Sequence, residues 1–297
     1  MTHLDEGTIQ KLEETANNIR ISVIEMLLAA GSGHTAGPLG MADVFTLLYF
    51  NVLRHDPNNP DWPDRDRLVL SNGHICPVLY ATMAHAGYFP VDELKTLRKF
   101  GSRLQGHPHR ESLPGLETSS GPLGSGLSQA VGMALAERVN SPDPEKYFYC
   151  LMGDGELDEG QIWEAAMLAG KEKLFNLIGI IDRNNIQIDG FTEDVMPLEP
   201  LKQKWESFGW HVIEADGHNF NALHEAIGQA QAYASKPSVI FAHTIPGKGV
   251  PEFERDFRWH GAPPGKGPED RVSKDKQGEI ALNDLRTLGG KIRGEHQ

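Results

Sequence analysis

The chain has 297 residues, 39% hydrophobic and 23% charged, with a formal net charge of −13 at pH 7. That length buries a large core, and the composition excludes a disordered or fibrous chain. The acidic balance argues against a nucleic-acid or anionic-membrane surface, which needs clustered Lys and Arg.

Residues 8–30 place Ile9, Leu12, Ala16, Ile19, Val23, Met26 and Leu27 at the spacing of a helix with one buried face. GSGHTAGPLG (31–40) stops that helix, a second is predicted over 41–53, and RLVLSNGH (67–74) reads as a short strand running into a loop. The segment 74–100 has a helical pattern with a break near Gly87 to Pro90. Residues 101–125 are too rich in Gly, Pro, Ser and His for regular structure, and a loop of that length in a compact domain is functional or disordered. GSGLSQAVGMALAERV restores the helical period.

From residue 146 apolar strands alternate with helices. KYFYCLM, NLIGIID, WHVIEA and SVIFAHTI read as strands, with helices over 160–171, 201–208 and 219–234. This pattern predicts an α/β fold: a doubly wound, mostly parallel sheet covered by helices on both faces. Trp163, Met167 and Leu168 are expected in the core. Residues 1–264 form the predicted domain, and 265–297, charged and rich in Pro and Gly before a weak helix, read as a tail.

No apolar run approaches the ~18 residues of a membrane span, and the opening MTHLDEGTIQKLEE is acidic and helical, unlike a signal peptide. Cys76 and Cys150 lack metal-ligand spacing and border apolar runs, so core thiols in a reducing, cytoplasmic compartment are expected.

The stretch CLMGDGELDEG (150–160) has the layout of a phosphate-binding turn, yet Asp154, Glu156, Asp158 and Glu159 crowd it with acids. In a doubly wound sheet ligands bind beyond the carboxyl ends of the strands. Asp154 lies at such an end, and the strand ending in IIDRNN brings Asn184 to the same edge one crossover later. A carboxylate and an amide oxygen are hard ligands suited to Mg²⁺ or Ca²⁺. A divalent cation between those acids and a phosphate would explain the charge, with Gly155 permitting close backbone approach. The plain alternative is an Asp-Gly turn capping a helix, with Asn184 in an ordinary loop.

GDG followed by NN about thirty residues on resembles the thiamine diphosphate fingerprint. SGHTAGPLG (32–40), DRLVLSNGHICPVLYA (66–81), QGHPHRE (105–111), LPGLETSSGPLGSGLSQAVGMALAER (113–138) and WHGAPP (259–264) together resemble the N-terminal half of transketolase, from about residue 10 to 264. The resemblance implies that Asp154, Asn184 and the Ile186 carbonyl hold a metal, Mg²⁺ or alternatively Ca²⁺ or Mn²⁺. It implies that His74, His260 and Gly155 contact the cofactor diphosphate, that Gly153 and Glu156 also belong to the cofactor-binding set, and that Gly121, Pro122 and Leu123 lie along the aminopyrimidine. His34 and His107 are expected to contact the sugar, and His34, His74, His107 and His260 supply proton donors and acceptors near neutral pH. Glu159 and Glu164 correspond to acids of a network at the subunit interface, although for Asp158 a solvated helix start is the simpler reading.

The activating glutamate and the phosphate-gripping arginines of transketolases lie in domains that follow this one. The resemblance therefore implies a diphosphate-binding subunit of a split transketolase that moves a two-carbon ketol unit between sugar phosphates. Its partner would be a separate pyrimidine-domain subunit, in an A2B2 assembly. A relative acting on another donor, such as a 1-deoxyxylulose 5-phosphate synthase, and a non-catalytic regulatory homologue are the alternatives.

Overall fold

The computed structural model describes residues 3–141 and 146–288. In chain order its elements begin with helix α1 (Glu6–Ala30), the short α2 (Ala36–Gly40) and α3 (Ala42–Leu47), which continues as a π-helical turn over Leu48–Val52. Strand β1 (Arg67–Leu70), α4 (Cys76–His85), α5 (Ser125–Asn140), β2 (Phe148–Gly153), α6 (Gly160–Glu172) and β3 (Leu177–Arg183) follow. A small hairpin of β4 (Ile186–Gln187) and β5 (Gly190–Phe191) precedes α7 (Thr192–Val195) and α8 (Leu201–Ser207). The chain then runs through β6 (His211–Asp216), α9 (Phe220–Ala232), β7 (Ser238–His243) and α10 (Lys274–Leu288).

Five strands form one sheet in the order β1-β2-β3-β7-β6, every neighbouring pair parallel. Because side chains alternate along a strand, each strand feeds two cores. Leu68, Leu70, Tyr149, Leu151, Ile178, Ile180, Ile240 and Ala242 pack toward α1, α3, α4 and α9. Val69, Phe148, Cys150, Met152, Leu177, Ile181, Val239 and Phe241 pack toward α5, α6 and α8. Burial on both faces is why the strands read as continuous apolar runs. The doubly wound α/β expectation holds.

Both cysteines are reduced and buried, and among the described residues no helix is long and apolar enough to cross a membrane. Two local expectations do not hold. Of the three α6 residues expected in the core, only Trp163 packs against it, partly buried, with its indole N–H donating to Leu157 O at 2.9 Å; Met167 and Leu168 are exposed. A helical period locates a face, but the outward side of α6 also carries apolar residues, and periodicity cannot separate the two.

The second concerns the tail. Within the segment expected to be a charged tail, α10 packs on α1, with Ala281 and Leu285 fully buried. The wholly buried Gln277 accepts from the amides of Gly265 and Gly267 at 2.9 and 3.2 Å and donates to Pro268 O at 2.8 Å. Asn17 of α1 donates to Leu285 O at 2.9 Å. A narrow apolar stripe on a charged helix suffices to seal one edge of the core. The rest of that segment, 289–297, lies outside the described residues.

Candidate active site

A cavity of about 270 Å³ opens at the carboxyl ends of β1, β2 and β3. Parallel strands place their C-terminal loops at one edge, which is how residues from 34 to 260 meet there. Its walls include His34, His74, His107, Gly121, Leu123, the 153–156 turn, Asn184, Ile186 and His260.

One end is anionic. Asp154 caps the turn after β2: its Oδ1 accepts from Gly155 N at 2.8 Å, and its Oδ2 accepts from Asn185 N at 2.6 Å and from Arg183 at 3.3 Å. Burial pushes its carboxyl up to about 6, against the pull of the Asn185 amide and Arg183. Asn184 opens an Asx turn, its Oδ1 accepting Ile186 N–H at 3.0 Å and its Nδ2 donating to Asp182 at 2.7 Å. Asn185, at φ +63°, takes the left-handed conformation that asparagine tolerates well. The double Asn therefore has a local reason: one residue makes the turn and the other supplies the backbone.

Another part of the lining is rich in imidazoles. The rings of His34, His74 and His260 have centroids 4.8, 5.1 and 5.6 Å apart. Burial drives His34 down to about 3, helped by His260, Arg98 and His107, and drives His260 to about 4. His74 falls well below the usual range for the same first reason. These are neutral imidazoles at neutral pH. His107 sits exposed at the mouth, lowered less by partial burial and by Arg98.

Other predicted residues divide. Gly153 and Gly155 flank Asp154 in the wall, and a Cβ on Gly155 would lie 3.1 Å from Gln187 Cβ. Gly121 and Leu123 line the cavity, whereas Pro122 is exposed and its carbonyl accepts from Ser125 at the start of α5. Glu156 reaches the wall, but its carboxylate is engaged elsewhere. It accepts from Ser71 Oγ, from Gly124 N at 2.6 Å and from Gly153 N at 3.0 Å. That tie joins β1, β2 and α5, so Glu156 holds the walls together. Glu159 and Glu164 are exposed, away from the cavity.

Sequence reasoning passed over four residues. Asp182 is wholly buried and pushed up to about 7 by burial, with the Asp154 charge adding to the rise, and it accepts from Thr244 Oγ1. Asn72 and Gln187 line the cavity with buried amide atoms that have no protein partner. The Asn of SNGH was a visible signal for Asn72. Asp182 and Thr244 offered none, since one closes an apolar strand and the other follows one, as in many loops.

The residues present fit a metal and a diphosphate. His34 Nδ1, His260 Nδ1, Asn72 Nδ2, Asn72 Oδ1 and Gln187 Nε2 are buried without partners around one cavity. Buried polar atoms require partners, so an arc of them facing one space calls for a polar ligand. Among the described residues no group of three or more His, Cys, Asp or Glu side chains could hold a metal alone. A cation here would depend on a carboxylate together with amide and backbone oxygens, a hard donor set.

The family described as "Transketolase, thiamine diphosphate binding domain" matches residues 11–279. The chain belongs to the transketolase family. It is a component of a ketol-group transferase and carries the thiamine diphosphate-binding domain. The 6-deoxy-6-sulfo-D-fructose transketolase subunit SqwG of Clostridium sp. is 48% identical over 239 residues, covering 80% of this chain and 86% of that protein. One of the subunits of the apulose-4-phosphate transketolase of Phocaeicola vulgatus is 40% identical over 265 residues, 89% of this chain and 93% of that one. Transketolase 2 of Escherichia coli is 44% identical over 264 residues, but those cover only 39% of its length. The transketolase structure from Leishmania mexicana superposes with a TM-score of 0.81 at 37% identity, over 96% of this chain and 45% of that one. This chain thus spans less than half of such longer transketolases and nearly all of the two relatives named as subunits.

Proposed function

We propose that this chain is the metal- and diphosphate-binding subunit of a split transketolase, paired with a subunit carrying the pyrimidine-binding domain. The carrying observation is the lining of one cavity, which brings Asp154 and Asn184 together with three neutral histidines. Asp154, Asn184 and the Ile186 carbonyl would hold Mg²⁺, and His74, His260 and Gly155 would face the diphosphate. Bound thiamine diphosphate supplies the electron sink that allows the carbon–carbon bond beside a ketone to break. The chain's own share is to orient the donor and move protons. His34 Nδ1 lacks a protein partner and is free to bond a sugar hydroxyl, and His107 stands at the mouth where a substrate enters.

The exposed Glu159, Glu164, Met167 and Leu168 at the start and outer side of α6 would meet the partner subunit in an A2B2 assembly. A cytoplasmic location suits the two reduced cysteines. The donor is an anionic ketose. A sugar phosphate is the first reading, and a sulfonated ketose is the second, favoured by the relative named for 6-deoxy-6-sulfo-D-fructose.

The test is co-purification with the partner subunit, followed by ketose-to-aldose transfer assays with each donor. Transfer that requires both chains, thiamine diphosphate and Mg²⁺ is expected. Full transfer by this chain alone, or none with either donor class, would refute the assignment.

A further inference from the structure

Outside the cavity, three charged or titratable side chains are buried together beneath it. Arg20 of α1, Asp43 of α3 and His218, in the turn after β6, are 3, 5 and 8% exposed. Arg20 donates to Asp43 Oδ2 at 2.6 Å and to Leu39 O at 3.0 Å. His218 Nδ1 lies 2.7 Å from the same Asp43 Oδ2, and the Ile245 amide donates to His218 Nε2 at 2.7 Å. An amide can only donate, so Nε2 must accept; the ring proton is then on Nδ1, where the Asp43 carboxylate accepts it. Burial alone would raise the Asp43 carboxyl, but Arg20 and His218 hold it well below the ordinary range. The triad is fully satisfied and its tautomer is fixed by its neighbours.

What the triad grips leads to the site. Ile245 follows Thr244, whose hydroxyl donates to Asp182 Oδ1; Asp182 Oδ2 in turn accepts from Asn184 Nδ2 at 2.7 Å. Two residues after Ile245, the Gly247 amide donates to Ala36 O at 2.9 Å, beside the loop that carries His34. One imidazole therefore pins the 244–247 loop, and that loop bonds both to Asp182 in the cavity wall and to Ala36, two residues from His34.

We propose that His218 is a positioning residue: acting through Ile245, Thr244 and Asp182, it sets the orientation of Asn184 at the metal-binding end. The inference rests on the metal–diphosphate reading of the cavity and extends it to a residue that lines no part of it.

The experiment compares H218Q and H218N in the full-length chain. Gln places its oxygen near Nε2 and keeps an acceptor for the Ile245 amide. Asn mimics Nδ1 and falls short of it. Two readouts are taken: hydrogen exchange of the Asn185 and Ile186 amides, which are bonded to Asp154 and Asn184, and calorimetric affinity for Mg²⁺ with inorganic pyrophosphate. H218N is expected to exchange at least fivefold faster at those amides and to bind the probe about tenfold more weakly, with H218Q within twofold of wild type on both. Wild-type values for both variants, whatever their melting temperatures, overturn the proposal. If wild type itself does not take up Mg²⁺ and pyrophosphate, the reading of the cavity falls, while the exchange comparison still decides whether His218 orders Asn184. Should H218N fail to fold, Thr244→Val cuts the same chain of bonds and must give the same acceleration; unchanged exchange there also overturns it.

Discussion

The histidine cluster makes a quantitative prediction through His34→Asn. In the folded chain His34 is neutral until about pH 3, chiefly because burial penalises its charged form, while in the unfolded chain it protonates near 6.5. Below pH 6.5 the unfolded state therefore binds one proton more than the folded state. Wild-type stability falls as pH drops from 6.5 toward 3, by about 1.4 kcal/mol per pH unit for this group. At pH 5.0, one and a half units into that window, the loss is about 2 kcal/mol. Asn cannot protonate and escapes it. Absolute stabilities do not isolate the effect, because Asp154 and Asp182 have raised folded-state values and titrate with the opposite sign in the same range. The difference between variant and wild type does. Urea unfolding of both proteins at pH 7.5 and 5.0 should show the variant gaining about 2 kcal/mol relative to wild type on acidification. A difference that stays constant with pH would mean that His34 is solvated in the folded chain, and the account of a dry, neutral imidazole cluster would be wrong.

Asp154→Asn keeps the shape of the turn and removes the charge; with the partner subunit present, Mg²⁺-dependent retention of thiamine diphosphate in equilibrium dialysis should weaken at least ~10-fold, the range seen when hard-cation ligands are weakened. Gly170→Ala would put a Cβ 1.8 Å from Phe208 O, backbone against backbone, where α6 meets the turn before β6. About 3 kcal/mol of destabilisation by overpacking is expected in chemical denaturation, and no measurable loss would mean the two segments do not touch. Leu285→Ala removes a fully buried side chain of α10 and should destabilise by about 2–4 kcal/mol; a loss under about 0.5 kcal/mol, as for a surface position, would restore the reading of that segment as a tail.

The layout of the cavity was legible because its signals are local. A strand that ends in Gly-Asp-Gly and another that ends in Asp-Arg-Asn-Asn declare their own C-terminal edges, and parallel topology brings those edges together without further information. The loop histidines were legible only as a set matched to a family pattern, and the structure gathers His34, His74 and His260 into contact. What escaped is what packing decides. Glu156 reads as one more acid beside a phosphate, yet Ser71 and Gly124 from distant loops and the nearby Gly153 amide claim its carboxylate. Helix α10 has too few apolar positions to declare a core face, and its burial depends on the groove that α1 offers. Met167 and Leu168 show the reverse case: apolar residues at helical spacing that the fold leaves outside.

The charge at the mouth of the sheet ties these pieces together. Asp154, Glu156 and Asp182 are all buried within one cavity wall, and burial raises all three carboxyls. Among the described residues Arg183 is the one guanidinium that bonds to any of them, and it also bridges Thr192, Glu193 and Glu199. The neighbouring histidines are neutral and contribute no compensating charge. Carboxylates held this way store unfavourable electrostatic energy that proton uptake only partly relieves. A divalent cation bound beside Asp154 and Asn184, as proposed above, would relieve it. The acidic turn is therefore no obstacle to an anionic cofactor. It is an excess of buried negative charge that a cation lying between the protein and a diphosphate, on the proposed function, would offset.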